Sequence, residues 1–218
     1  MRIIELNKSV TDSNDRDAEV LRNELTEKGI CLINLMSSPG SGKTTLLSRI
    51  IKDMNAKVPI AVCEADIASA VDAERIESLG ATAVQVHTDG MCHMDAGMTR
   101  KGLFSMDLGG IKLAFLENVG NLICPAEFDT GAGRCVMLLS VPEGDDKPLK
   151  YPLMFTVCDL VIINKMDVVP YFDFDIERCK KYIHLRNPEA QIIPISAKTG
   201  HGIDHLAEWL LGKVNVGE

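Results

Sequence analysis

Eight residues near the start of the chain, Ser37-Ser38-Pro39-Gly40-Ser41-Gly42-Lys43-Thr44, restrict its fold more than any others. A short apolar run, Cys31–Met36, precedes them, and a segment with helical spacing, Thr44–Met54, follows. A glycine-rich turn between a strand and a helix lets successive backbone N–H groups wrap an anion, and the helix N-terminus adds partial positive charge. In such a P-loop, Gly40, Ser41, Gly42, Lys43, Thr44 and Thr45 cradle phosphates. Lys43 would reach the β- and γ-phosphates, and the Thr44 hydroxyl would reach magnesium. The usual first glycine of the pattern is replaced by Ser37; the remainder is intact.

The other apolar runs are short and nearly continuous, as strands buried on both faces should be. They are Ile60–Cys63, Thr82–Val86, Leu113–Leu116, Val136–Val141, Leu160–Ile163 and Ile192–Ile195. Helical spacing separates several of them, over Ala70–Leu79, Asp95–Met106, Ile176–Leu185 and Ile203–Leu211. Strand alternating with helix predicts an α/β fold: a P-loop NTPase with a doubly wound, mostly parallel sheet flanked by helices on both faces. Its chemistry belongs in the loops after the strands. Ahead of it, Thr11 to Gly29 reads as a surface helix with Val20, Leu21 and Leu25 on one narrow face, capped by Thr11 or Ser13 and stopped by Gly29. The expected organisation is a helical extension over 1–29 and one P-loop GTPase domain over 30–218, without repeats or linkers.

A formal net charge of −8 argues against a broad grip on nucleic acid. No secretory signal is visible, and no run of roughly 18 uncharged apolar residues is present to span a membrane. The seven cysteines include no Cys-x-x-Cys pair, which suits reduced thiols in a cytoplasm. Cys31, Cys63, Cys135, Cys158 and Cys179 lie in or beside apolar segments and read as packing residues.

Asn164-Lys165-Met166-Asp167 follows the strand Leu160–Ile163 and matches the Asn-Lys-x-Asp motif that reads guanine. A carboxylate at Asp167 can accept from guanine's ring N–H and its exocyclic amine; adenine offers an acceptor at that ring position, so GTP is preferred over ATP. Ser196-Ala197-Lys198, after Ile192–Ile195, resembles the second base-binding loop of GTPases. Glu117-Asn118-Val119-Gly120 stands where many GTPases carry Asp-x-x-Gly, so Glu117 is a magnesium candidate and Gly120 a pivot toward the γ-phosphate. Asp66, after the second strand, is a candidate for magnesium or the attacking water. The expected catalytic set is Lys43, Asp66 and Glu117. No arginine stands out as a finger, so intrinsic turnover should be slow.

Cys92 and His93 are adjacent in a strand-to-helix loop, and Cys124 lies seven residues beyond Glu117. Thiolate and imidazole suit nickel or zinc, but three ligands do not close a four-coordinate site; water or a second copy across a two-fold axis would complete it. Because Cys124 follows the γ-phosphate-sensing segment, nucleotide state could open or close such a site. Met91, Met94 and Met98 read as a core-facing helix stripe rather than ligands, His87 as a satisfied strand-end histidine, and Trp209 as core.

The run Met36–Thr44, Cys92-His93-Met94-Asp95-Ala96, Glu117 through Pro125, Glu143-Gly144-Asp145-Asp146-Lys147 and Asn164-Lys165-Met166-Asp167 together resemble the HypB family. The resemblance covers nearly all of the chain after the N-terminal helix and accounts for Ser37. It implies a GTPase that uses GTP/GDP and Mg2+ and inserts nickel during maturation of nickel-iron hydrogenases. It implies nickel or zinc on Cys92, His93 and Cys124 near a GTP-promoted homodimer interface, with a maturation partner protein and the hydrogenase large subunit as further partners. The N-terminal cysteine motif and His-rich tract of some members are absent, so high-affinity nickel storage is not expected. Two alternatives remain at this level. One is a regulatory GTP switch with structural zinc. The other is an accessory GTPase for urease or a cobalamin enzyme, although the urease type typically carries Cys-Pro-His where Cys92 and His93 here adjoin.

Overall fold

The computed structural model describes residues 6–66 and 71–214, with side chains over 12–65 and 75–214. Seven strands form one sheet: β1 (Cys31–Ser37), β2 (Ile60–Asp66), β3 (Thr82–His87), β4 (Leu113–Gly120), β5 (Arg134–Ser140), β6 (Leu160–Asn164) and β7 (Gln191–Pro194). Every pairing is parallel, in the order β3-β2-β4-β1-β5-β6-β7. Connections run one way from β1 to β3 and the other way from β3 to β7. The loop after β1 therefore opens into a crevice between β4 and β5, where doubly wound sheets bind ligands.

The helices are α1 (Leu6–Glu27), α2 (Lys43–Met54), α3 (Val71–Ser78), α4 (Ala96–Phe104), α5 (Lys147–Lys150), α6 (Pro152–Thr156), α7 (Ile176–Arg186) and α8 (Ile203–Val214). Strand side chains alternate between the two faces. Ile33 and Leu35 meet Leu46, Leu47 and Ile50 of α2 and Leu206 and Leu210 of α8 on one face. On the other, Leu32 meets Leu21 and Leu25 of α1 and Leu103 of α4, while Met36 meets Phe155 and Ile183.

All seven expected strands are present, shifted at their ends by a residue or more. β4 continues past Leu116 to Gly120, so Glu117 lies inside the strand. The N-terminal helix begins at Leu6, so Thr11 and Ser13 fall within it, and its end past Gly29 is closed by the Ile30 N–H on the Leu25 carbonyl at 2.9 Å. Ala70, expected to open the third helix, lies outside the described residues, and α5 and α6 were not anticipated. Among the described residues no helix is long and apolar enough to cross a membrane.

Candidate functional site

The P-loop turns from β1 into α2 through Gly40 and Gly42, at φ +74° and +102°. A Cβ on Gly42 would stand 2.8 Å from Asn164 Nδ2, so both its backbone and its neighbour require glycine. Lys43 opens α2, and its ammonium donates to Ser37 Oγ at 2.8 Å. Serine in place of the first glycine therefore supplies an acceptor that holds the lysine over the loop. Ser38 Oγ donates to Glu143 Oε2, and Glu143 Oε1 accepts from both Ser140 N and Ser140 Oγ, at 2.8 and 2.7 Å. This tie between the P-loop and the end of β5 lies in a segment that sequence reasoning marked only as family-like.

Thr44 Oγ1 faces Glu117 Oε1 at 3.5 Å, and Glu117 is buried. Glu64, also buried, is its register partner across β2 and β4. A hydroxyl beside buried carboxylates is a hard-oxygen environment that fits a small divalent cation. Glu64 was missed as a site residue because a lone acid within an apolar strand gives no spacing signal. Asp66 closes β2, and its side chain lies outside the described residues. Gly120 passes so near the P-loop that a Cβ there would lie 3.1 Å from Pro39 N. The end of β4 is thus in direct register with the phosphate loop.

On the other side, Asn164 is buried and joins three segments. Its Nδ2 donates to Ser41 O at 3.0 Å, and its Oδ1 accepts from Ala197 N at 3.1 Å. Lys165 adopts φ +65°, and its Nζ donates to Gly40 O at 2.6 Å. Ser196 Oγ donates to Asp167 Oδ1 at 2.6 Å and accepts from Thr199 N at 3.1 Å. Thr45, Asp167 and Lys198 are exposed around this cradle. The chain therefore brings the P-loop, Asn164-Lys165-Met166-Asp167 and Ser196-Ala197-Lys198 into one hydrogen-bonded cradle, with the Asp167 carboxylate at its rim.

The second cluster is built on the loop between β3 and α4 and on the segment after β4. Asp95 caps α4 by accepting from Met98 N at 2.7 Å, which fixes the end of the Cys92-His93 loop. The neighbouring Cys124 thiol, followed by burial, pushes the Cys92 thiol above its ordinary range. Asn121 Nδ2 lies 3.5 Å from the Cys92 carbonyl. His93 Nδ1 is 3.8 Å from Cys92 Sγ, while its ring stacks on Phe128 at 3.8 Å and 12°. Burial holds the imidazole below its usual pKa, and Nε2 has no hydrogen-bond partner. An imidazole nitrogen 3.8 Å from one thiol, with a second thiol neighbouring it, has the donor chemistry of a soft or borderline metal site. Yet among the described residues no three His, Cys, Asp or Glu side chains assemble as a metal cage within one chain. The imidazole stacks on Phe128 while its Nδ1 stays 3.8 Å from the Cys92 sulfur.

One strand serves both clusters. Immediately after Glu117, the buried Asn118 accepts on Oδ1 from Met94 N at 3.1 Å and from Val119 N at 2.9 Å, and donates to Asn34 Oδ1 at 3.0 Å. Sequence reasoning passed over Asn118 and Phe128, since an amide inside a motif and a lone aromatic carry no spacing pattern. The methionines differ from the expected helix stripe. Met91 is exposed in the loop, Met94 is buried ahead of α4, and only Met98 lies on that helix. His87 sits exposed at the end of β3, and Trp209 packs partly buried against the core. Cys63, Cys158 and Cys179 are buried, and burial lifts the Cys63 and Cys179 thiols to about 12. Cys31 and Cys135 are half-buried at strand starts.

Fold and cradle together define a P-loop nucleotide-binding protein with a thiol cluster on loops that flank the strand beside its phosphate loop. Residues 31–194 match the family model described as CobW/HypB/UreG, nucleotide-binding domain. The chain is 45% identical over 209 residues to the hydrogenase maturation factor HypB of Escherichia coli (strain K12), covering 96% of this chain and 72% of that protein. It belongs to the HypB family. The structure of HypB from Helicobacter pylori in complex with nickel superposes with a TM-score of 0.87 at 37% identity, over 93% of this chain and 95% of that one. The HypB structure from Archaeoglobus fulgidus superposes at 0.88 with 39% identity, over 94% and 100%.

Proposed function

We propose that this chain is a GTPase whose nucleotide cycle drives delivery of nickel to a nickel-iron hydrogenase during its assembly in the cytoplasm. The observation that carries the reading is the layout of β4. Glu117 faces the P-loop threonine, Asn118 holds the backbone of the Cys-His loop, and Cys124 follows against Cys92. A change at the γ-phosphate that moves the end of β4 acts on both thiol-bearing segments.

In this reading Gly40 to Thr45 hold the phosphates, with Lys43 on the β- and γ-phosphates. Asn164, Lys165 and Asp167 read guanine, with Ser196, Ala197 and Lys198 closing the base pocket. Thr44, Glu117 and Asp66 hold magnesium, which when bound neutralises charge developing on the phosphates. Asp66 or Glu117 also orders the attacking water. No arginine is invoked, so turnover by one chain alone is slow. Nickel, or zinc in competition with it, is cargo on Cys92, Cys124 and His93. His93 Nδ1 already stands 3.8 Å from the Cys92 sulfur, and three ligands leave a four-coordinate site open, so a second copy completes the set and the cargo site forms with a GTP-promoted homodimer. The relative with nickel and the relatives named as hydrogenase maturation factors support this reading. A maturation partner protein and the hydrogenase large subunit are the recipients it implies.

The test is nickel and zinc affinity with GDP and with a non-hydrolysable GTP analogue, with Cys92→Ala and Cys124→Ala as controls and oligomeric state followed in parallel. Affinity that shifts with nucleotide and vanishes in both variants is the expected result. Affinity indifferent to nucleotide would leave a GTP switch carrying a static zinc site, and the delivery mechanism would be lost.

A further inference from the structure

The two segments that bring the thiols together have no direct backbone pairing between Cys92–Ala96 and Cys124–Asp129. They are joined instead by a residue of the N-terminal helix. Asn14, nine-tenths buried in the middle of α1, accepts on Oδ1 from Ala96 N at 3.0 Å and donates from Nδ2 to Asp129 O at 2.9 Å. One carboxamide thus bridges the start of α4, four residues after Cys92, to the residue five beyond Cys124 and next to Phe128, on which His93 stacks. The bridge is flanked on both sides. Arg22 clasps Asp129 through both carboxylate oxygens at 2.8 and 2.7 Å and reaches Ala132 O at 3.2 Å. Arg100 of α4 clasps Glu24 at 3.0 and 2.8 Å.

We propose that Asn14 is a positioning residue for the thiol site: its single side chain sets the spacing of the Cys92-His93 and Cys124 segments, and α1 is the brace that holds both. This rests on the nickel-delivery reading for the identity of the cargo, but not for the geometry it asserts. An amide suits the task because it donates and accepts at once. A buried bridge of this kind is costly to leave half-satisfied, which keeps the two segments at one separation.

The test uses the full chain with Asn14→Ala and Asn14→Asp; the second keeps the acceptor for Ala96 N and removes the donor to Asp129 O. Three quantities are measured: GDP affinity, Ni2+ affinity, and the effective concentration of Cys92 and Cys124 toward each other without metal. For the last, the two thiols give two electrons and two protons to glutathione disulfide, forming the Cys92–Cys124 disulfide and two glutathione thiols, with the linkage mapped by mass spectrometry. The expected result is a loss of roughly 10- to 100-fold in Ni2+ affinity, the scale of lost outer-shell support at metal sites. A parallel fall in thiol effective concentration and an unchanged GDP affinity are expected with it. Arg100→Ala, which loosens α1 on α4 while sparing the bridge, should change neither thiol quantity more than about twofold.

Unchanged Ni2+ affinity and thiol effective concentration in both Asn14 variants would overturn the proposal. So would equal losses in Arg100→Ala, or losses that merely track GDP affinity, since either would reduce Asn14 to general packing. If the wild-type chain binds no nickel but the Asn14 variants still separate the thiols, the brace stands and the nickel reading falls.

Discussion

If the cradle selects guanine as proposed, that selection rests on one carboxylate, and the consequence of altering it can be worked out. Asp167 lies at the exposed rim, where Ser196 Oγ donates to Oδ1 at 2.6 Å and is itself fixed by Thr199 N at 3.1 Å. The serine limits rotation of the carboxylate before any base arrives. Each charge-assisted hydrogen bond to the guanine ring N–H and amine contributes about 1.5–3 kcal/mol, so losing both costs about 3–6 kcal/mol. At 1.4 kcal/mol per decade, Asp167→Ala should weaken GDP by roughly 10²- to 10⁴-fold. Asp167→Asn makes a sharper prediction. An amide presents one acceptor and one donor, and xanthine presents a ring N–H beside a carbonyl oxygen. That variant should therefore lose GDP while gaining xanthosine diphosphate. The assay is displacement of a fluorescent GDP analogue by GDP, ADP and xanthosine diphosphate, on wild type and both variants. A variant that simply unfolds would lose all three nucleotides, so the exchange of preference separates specificity from stability. Less than a threefold change in GDP affinity for Asp167→Ala, or no gain of xanthine binding in Asp167→Asn, would refute the assignment of Asp167 to the base.

Other consequences follow from the same geometry. Gly42→Ala places a Cβ 2.8 Å from Asn164 Nδ2 at φ +102°, so nucleotide binding should fall below detection and stability by about 1–3 kcal/mol, read by titration and thermal melting. Leu21→Ala empties a fully buried site against Leu32 and should cost about 2–5 kcal/mol in denaturant unfolding, which measures how far α1 shares the core. Nickel affinity should rise with pH. The Cys92 thiol is held above its ordinary pKa by Cys124, so protons compete with metal near neutrality, and each thiol that must ionise adds up to about tenfold per pH unit. His93, held below its usual pKa by burial, adds a smaller proton term than the thiols. A nickel affinity flat between pH 6.5 and 8 would remove the thiols as ligands.

The strands were legible because buried parallel strands must be apolar along their whole length, so Leu160–Ile163 or Cys31–Met36 can be read without any partner. Their ends were less so. β4 runs on through Glu117 and Asn118, two polar residues whose burial is tolerated because each finds partners on neighbouring segments. The nucleotide cradle was legible because backbone wrapping of phosphate permits only small residues at fixed spacing. The coordinates add what spacing could not give, such as Ser37 as the acceptor for Lys43 and Asn164 as the tie among three loops. The thiol cluster was legible only by residue type. That Cys124 neighbours Cys92 while His93 stacks on Phe128 depends on contacts distant in sequence, and Asn14, more than eighty residues from Ala96, left no local trace.

If β4 couples the two clusters, thermodynamics fixes a relation between them that needs no further structural assumption. Suppose exchanging GDP for a GTP analogue changes nickel affinity tenfold, a coupling of about 1.4 kcal/mol. Binding nickel must then change the preference for the analogue over GDP by the same factor, because both paths join the same four states. The coupling has a physical carrier here in Asn118, whose Oδ1 accepts from Met94 N while the preceding Glu117 faces Thr44. Asn118→Ala removes the link to the Cys-His loop and leaves Glu117 and Cys124 in the chain. Both ratios should then contract toward one together, whatever happens to either affinity alone. A variant in which the nickel ratio collapses while the nucleotide ratio persists would violate linkage for a single assembly state and point to a change in assembly. One in which both persist unchanged would place the coupling outside β4.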